Sequence, residues 1–315
     1  DWYGIAGMVL GLGGLTVMLE EGHREQWFQS PLIWRLAGIT LLGFLLVAVG
    51  QFRSPKPVLR LALMGNGVLG PATALQLASG IMMFCALFAL PQFLLLIAGY
   101  NAFQAGQVLL FGGLTSFLVM FVYPLVMKVS PIRLTVFLAM LTQAALCYLC
   151  AGLSADTGAS AFVVPLILFG LGISMMAVPL QETALRSVGA SEASEVSSLI
   201  ACSRNVGGSI GLAALASFQD QRLAFHQGRL HETIGANDPG AWERLDGFAA
   251  QFGGGPDGLQ AAYRMLDSLV SREALIMTFN DIFLVLAIGI LLIAPLGLLL
   301  PARQGGDGAA TVAAH

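Results

Sequence analysis

The chain has 315 residues, of which 57% are hydrophobic and 10% charged, with a mean hydropathy of +0.80 and a formal charge of −3. Soluble domains carry about a quarter of their residues as charges, so this balance excludes an ordinary aqueous fold and makes lipid the medium for the apolar surface. No basic, aromatic-rich surface suggests nucleic-acid binding.

A hydrocarbon core about 30 Å thick needs roughly 20 helical residues at about 1.5 Å each. Eight apolar stretches meet or approach that length, at residues 4–19, 32–52, 67–97, 105–127, 134–153, 162–182, 196–218 and 277–300. The first two are joined by the acidic turn Glu20-Glu21-Gly22-His23-Arg24-Glu25. The basic stretch Arg53-Ser54-Pro55-Lys56-Pro57 then separates them, at about residue 60, from six spans in 61–301. Pro71 and Pro91 interrupt the first of those six, and Pro165 and Pro179 interrupt the fourth. That is the pattern of a repeated three-helix unit. Between the last two spans, the long connection 219–276 repeats apolar residues at helical spacing twice: Trp242, Leu245, Phe248, Ala249 and Phe252, then Leu259, Ala262, Tyr263, Leu266 and Val270. Two short amphipathic helices are expected there, lying on the membrane surface or docking a partner. Residues 302–315 read as a flexible tail.

Basic residues orient these spans. Arg53, Lys56, Arg60, Lys128, Arg133, Arg186 and Arg303 fall on one side, against Arg24 and Arg35 in the opposite short connections, which predicts both chain ends in the cytoplasm and the 219–276 connection outside. The chain starts at Asp1, and its first span lacks a basic leader and a small-residue cleavage site; a fragment or trimmed product is expected rather than a signal peptide.

The sharpest polar feature is Arg204-Asn205-Val206-Gly207-Gly208-Ser209-Ile210-Gly211, inside the seventh span. A guanidinium there costs about 2.5 to 3.5 kcal/mol near the bilayer centre and calls for a partner or a wet cavity. Arg204, Gly208 and Gly211 share one helical face, and the glycines admit a close helix neighbour. Two readings stand: Arg204 gates a pathway, or it snorkels to the headgroups or pairs structurally. Glu182, after Pro179-Leu180-Gln181, is placed to bind a proton or a cation, or to pair with Arg186 one turn on. Asn280 and Asp281 open the eighth span, where a carboxylate complements the helix dipole. Gln76 and Gln92 bring amides into the third span, where each needs a bonding partner or a cavity.

Several chemistries lack their components. Cys147 and Cys150 form a CxxC without a second pair or a histidine, which favours packing over redox or metal work. His23, His226, His231 and His315 all lie outside the expected spans, so no enzyme activity, metal or cofactor is expected. The glycine rows Gly7, Gly11, Gly14 and Gly170, Gly172 sit in apolar helices rather than between a strand and a helix, which argues against phosphate binding.

In order along the chain, Asp1-Trp2 with Gly4, Glu21-Gly22, Trp27-Phe28 with Ser30, Gly99-Tyr100 with Gln104-Ala105-Gly106, Gly170-Leu171-Gly172 with Pro179-Leu180, Arg204 to Gly211, and Asn280-Asp281 with Phe283 resemble the EmrB/QacA type of drug:proton antiporter. That is a fourteen-helix branch of the major facilitator superfamily. The resemblance implies an all-α membrane protein, made of two inserted transmembrane helices followed by the six-helix C-terminal bundle, without the N-terminal six helices. It implies efflux of hydrophobic or amphipathic compounds by alternating access in a bacterial cytoplasmic membrane, driven by a proton gradient, with Arg204, Asn205, Gly208, Gly211, Gln92, Glu182 and Pro179 lining or gating one wall. The implied partners are the absent half, a hydrophobic small molecule, the bilayer and, in a host with two membranes, a periplasmic membrane-fusion adaptor and an outer-membrane channel. Tyr123-Pro124 stand where the family has Gly-Arg, so its loop latch is altered here. An exporter of a lipid, siderophore or antibiotic, or a nontransporting scaffold, would share these features.

Overall fold

A computed structural model describes residues 1–22, 24–53, 64–65, 67–154, 157–189, 192–233 and 239–300. His23, Lys56, Arg60, the boundary at residue 60 and the 302–315 tail lie outside the described residues. Every regular element described is helical: α1 (Trp2–Gly22), α2 (Pro31–Arg53), α3 (Leu69–Leu96), α4 (Ala102–Val129), α5 (Ile132–Cys150), α6 (Val163–Arg186), α7 (Ala193–Thr233), α8 (Pro239–Gln251) and α9 (Gly255–Ile293). Eight of these segments are long and apolar enough to cross a membrane; α8, with 13 residues, is not.

Apolar side chains gain little by leaving lipid for a helix interface, so close backbone approach must hold such helices together. Glycine supplies it where α1 meets α2, α4 meets α6 and α3 meets α7. α1 lays Gly4, Gly7, Gly11 and Gly14 inward, and a Cβ on Gly11 would come within 3.1 Å of the Gly43 carbonyl carbon on α2. Gly14 meets the Thr40 hydroxyl oxygen in the same way, at 2.7 Å. The row that phosphate binding would have required is therefore the seam of a helical hairpin. On α4 and α6, Gly112 faces Gly170, and the Ser116 hydroxyl donates to the Gly170 carbonyl at 3.2 Å.

The six later spans close into a bundle in which α3 packs on α7, α5 on α6 and α9, α4 on α6, and α7 on α9. Phe93, Phe162 and Phe279 are all fully buried, and the Phe93 ring centroid lies 5.7 Å from each of the other two. Cys147 and Cys150 are free thiols at 0% exposure in the same core. The α1–α2 hairpin rests on the bundle through α1 against α7, where the Ser209 hydroxyl donates to Thr16 Oγ1 at 3.2 Å.

Turn chemistry explains one of the sequence signatures. Gly99 adopts φ +70°, a left-handed conformation that glycine takes without strain, and the Tyr100 amide bonds back to the Leu94 carbonyl at 3.0 Å to close α3. Asn101 then opens α4: its side chain accepts from the Gln104 amide at 2.9 Å, while Gln104 Oε1 accepts from the Asn101 amide at 3.0 Å. This is a reciprocal helix cap.

The largest departure from the sequence reading concerns the 219–276 connection. α7 runs unbroken for 41 residues to Thr233, and α9 starts at Gly255 and runs 39 residues, so most of the connection continues the two flanking spans. α8 matches the first expected amphipathic helix; the second is the N-terminal part of α9. Leu245 of α8 and Ala262 and Val270 of α9 are buried where the two helices pack. The reversal between them uses Gly253, Gly254 and Gly255 at φ +90°, +68° and +69°.

Candidate functional site

The Arg204–Gly211 segment is divided among three faces of α7. A Cβ on Gly207 would fall on the Leu77 carbonyl oxygen, one on Gly80 would fall on the Arg204 carbonyl oxygen, and one on Gly211 would come within 2.9 Å of the Ile81 Cα. A Cβ on Gly208 would come within 2.5 Å of the Phe84 ring. These glycines are a seam between α3 and α7, so Gly208 and Gly211 are packed positions rather than an open wall. Ser209 faces α1. Asn205 is exposed, and Arg204 is half-buried with no hydrogen bond or ion pair of its guanidinium among the described residues. Counting about 1.5 Å per residue from Ala193, it stands roughly 17 Å along the helix.

Glu182 joins two helices. The Tyr123 hydroxyl of α4 donates to its Oε2, and Arg186 Nη2 lies 2.5 Å from its Oε1. The local pair with Arg186 is thus formed, and Tyr123, the departure from the family pattern, is the residue that ties α4 to it. Pro179 is buried inside α6 three residues earlier. Gln92, beside Pro91 in α3, accepts from Gln219 Nε2 of α7 at 3.4 Å. Gln76 is fully buried with neither amide atom bonded among the described residues.

Asn280 and Asp281 do not open a helix. They lie well inside α9 because that helix begins at Gly255, so the dipole argument has no terminus to act on. Asn280 Nδ2 instead donates to the Leu153 carbonyl beyond the end of α5 at 3.1 Å, and Arg272 Nη2 one part of the helix earlier donates to the Ile97 carbonyl ending α3 at 2.8 Å. A cation on the last carbonyls of a helix complements its dipole. Asp281 faces α7, where Oδ2 receives Arg222 Nε at 2.7 Å and Nη2 at 2.6 Å, and His226 Nε2 lies 2.6 Å away. Arg222 also covers the Phe225 ring at 4.8 Å, and His226 is 7% exposed. Sequence reasoning missed this cluster because it ended the seventh span at 218. The spacing of Arg222 and His226, four apart on one helical face, is the signal that could have found it.

Apolar spans seamed by glycine, with a two-helix hairpin packed against a six-helix bundle, are the architecture of a facilitator-type membrane protein. The family model "Major Facilitator Superfamily" matches residues 2–212. The chain belongs to that family and is a multi-pass membrane protein. It is 27% identical over 296 residues to the Colistin resistance protein EmrB of Acinetobacter baumannii, covering 91% of this chain and 56% of that protein. It is also 27% identical over 326 residues to the Multidrug export protein EmrB of Escherichia coli K12, covering 98% and 60%. The Bacillus subtilis Uncharacterized MFS-type transporter YhcA is 19% identical over 239 residues, covering 76% and 45%. The chain therefore spans under two thirds of the length of these relatives, and the EmrB resemblance in its motifs is matched by similarity along most of its length.

Proposed function

We propose that this chain is the C-terminal portion of a proton-coupled exporter of hydrophobic or amphipathic compounds, working by alternating access against a six-helix N-terminal half. The observation that carries the reading is the similarity over 91–98% of the chain to proteins named for multidrug export or colistin resistance. In a two-half transporter the substrate moves through a cavity between the halves near the bilayer midplane. Arg204 and Asn205 are the polar groups of the motif that helix packing leaves uncovered, which supports their placement on this route. Gln92 and Glu182 join helices that would have to shift together, and Pro179 shapes the helix that carries Glu182.

The same reading places the protein in a bacterial cytoplasmic membrane with both ends inside. The outer extension of α7, α8 and α9 is then the surface offered to a periplasmic adaptor, and through it to an outer-membrane channel. No resident cofactor is invoked; the proton gradient supplies the energy. The test is dye export by the complete transporter in proteoliposomes carrying a pH gradient. Arg204→Ala should reduce export about tenfold at equal protein level. Unchanged export would remove Arg204 from the mechanism, and export insensitive to the gradient would remove proton coupling.

A further inference from the structure

The crevice between α7, α8 and α9 holds a cavity of about 490 Å³, inside the range of about 300 to 1,000 Å³ usual for small-molecule sites. Its floor is apolar: Leu230 of α7, Phe248 of α8 and Leu266 of α9 are half-buried. Three charged side chains complete the lining, Arg244 of α8 and the consecutive Arg272 and Glu273 of α9. All three are exposed, so a molecule entering from water can reach them.

The three differ in what already holds them. Arg272 is anchored, its Nη2 donating to the Ile97 carbonyl at 2.8 Å, which uses one of the several N–H groups a guanidinium carries. Arg244 and Glu273 have no side-chain hydrogen bond or ion pair among the described residues. The cavity therefore offers the donors of two cations and the acceptor oxygens of one anion beside an apolar floor.

These charges select a class of ligand. A molecule bearing only an anion is drawn to the arginines and opposed by Glu273. One bearing only a cation is drawn to Glu273 and faces two arginines, and a neutral apolar molecule leaves all three to water. A zwitterion on an apolar body answers both signs: its carboxylate takes a guanidinium in the two-pronged pairing these groups favour, and its ammonium takes the Glu273 carboxylate. Exposed ion pairs contribute little each, so the charges orient the ligand while the apolar floor supplies the binding. Size narrows the class further. A cavity of about 150 Å³ takes a benzene ring, and this larger one has room for a ring together with a charged backbone.

We propose that the cavity between α7, α8 and α9 binds an amino acid with a large apolar side chain, its carboxylate on Arg244 and Arg272, its ammonium on Glu273 and its side chain against Phe248 and Leu266. The site lies wholly within this chain, goes beyond the export reading and does not depend on it.

The probes separate the two charges. They are 5-fluorotryptophan, its N-acetyl derivative, which keeps only the carboxylate, and 5-fluorotryptamine, which keeps only the ammonium, followed by fluorine NMR on the purified protein in nanodiscs. Fluorotryptophan should bind saturably and about three- to tenfold more tightly than either derivative. Arg244→Gln should weaken fluorotryptophan and the N-acetyl derivative about threefold or more. Glu273→Gln should weaken fluorotryptophan to a similar degree yet tighten the N-acetyl derivative, because it removes a repulsion; a general loosening of the crevice would not give that opposite sign. Both substitutions fall on exposed side chains and should leave the melting temperature unchanged. Tighter binding of either derivative than of fluorotryptophan, equal binding of all the probes, binding indifferent to both substitutions, or no saturable binding would overturn the proposal. Should either variant fail to fold, a phenylalanine bearing an aryl diazirine decides the matter on the unaltered protein. Labelling on Leu230, Phe248 or Leu266 supports the site, and labelling confined elsewhere refutes it.

Discussion

Asp281 shows how one residue's meaning depends on where its helix begins. A single carboxylate oxygen receives Arg222 through two nitrogens and His226 through a third, so the residue locks α9 to α7 instead of decorating a helix end. Hydrogen bonds to charged groups contribute about 1.5 to 3 kcal/mol each when shielded, but the Arg222 and Asp281 side chains retain 34% and 27% exposure, and water screens such pairs. Asp281→Ala is therefore expected to cost about 2 kcal/mol. A double-mutant cycle with Arg222→Met, read by thermal unfolding in nanodiscs, should return a coupling of about 1 kcal/mol; additive losses would show that the two side chains do not act as a unit.

At the scale of elements, glycine does for these helices what large apolar side chains do in water. Gly80, Gly207 and Gly211 bring α3 and α7 into backbone contact. Gly207→Ala should consequently destabilise by about 1 to 3 kcal/mol, the usual result of overpacking. Gly228, exposed near the C-terminus of the same helix with nothing within 4 Å of a Cβ, should behave oppositely, Gly228→Ala stabilising by up to about 1 kcal/mol. Melting temperatures of the two variants check the pair of signs; a loss at both positions would contradict the seam. The spans themselves were legible in the sequence, since hydropathy and length identify a segment that lipid can surround. The continuations of α7 and α9 were not, because hydropathy reports the surrounding medium and falls at Gln219, Arg222 and Arg272, whereas backbone hydrogen bonding carries on regardless. The motif at Arg204–Gly211 was visible as a pattern, but its partition into a seam, a dock for α1 and an uncovered arginine depends on neighbours more than a hundred residues away.

For the whole molecule, the α1–α2 hairpin rests on the bundle through α1 against α7. Its link at Thr16 and Ser209 joins two hydroxyls 3.2 Å apart, within the reach of a disulfide between replacing cysteines. Thr16→Cys with Ser209→Cys, on a background cleared of Cys85, Cys147, Cys150 and Cys202, should cross-link on oxidation in native membranes. Failure of that pair to link, with a pair elsewhere on α2 linking instead, would place the hairpin on another side of the bundle.

α9 runs from the Gly253–Gly255 reversal through the Asp281 cluster as one uninterrupted helix of 39 residues, roughly 58 Å at about 1.5 Å per residue. Such a shaft has no joint along its length at which a push could dissipate. A displacement of its N-terminal end, where α8 packs, is therefore carried undamped to the carboxylate two dozen or so residues on.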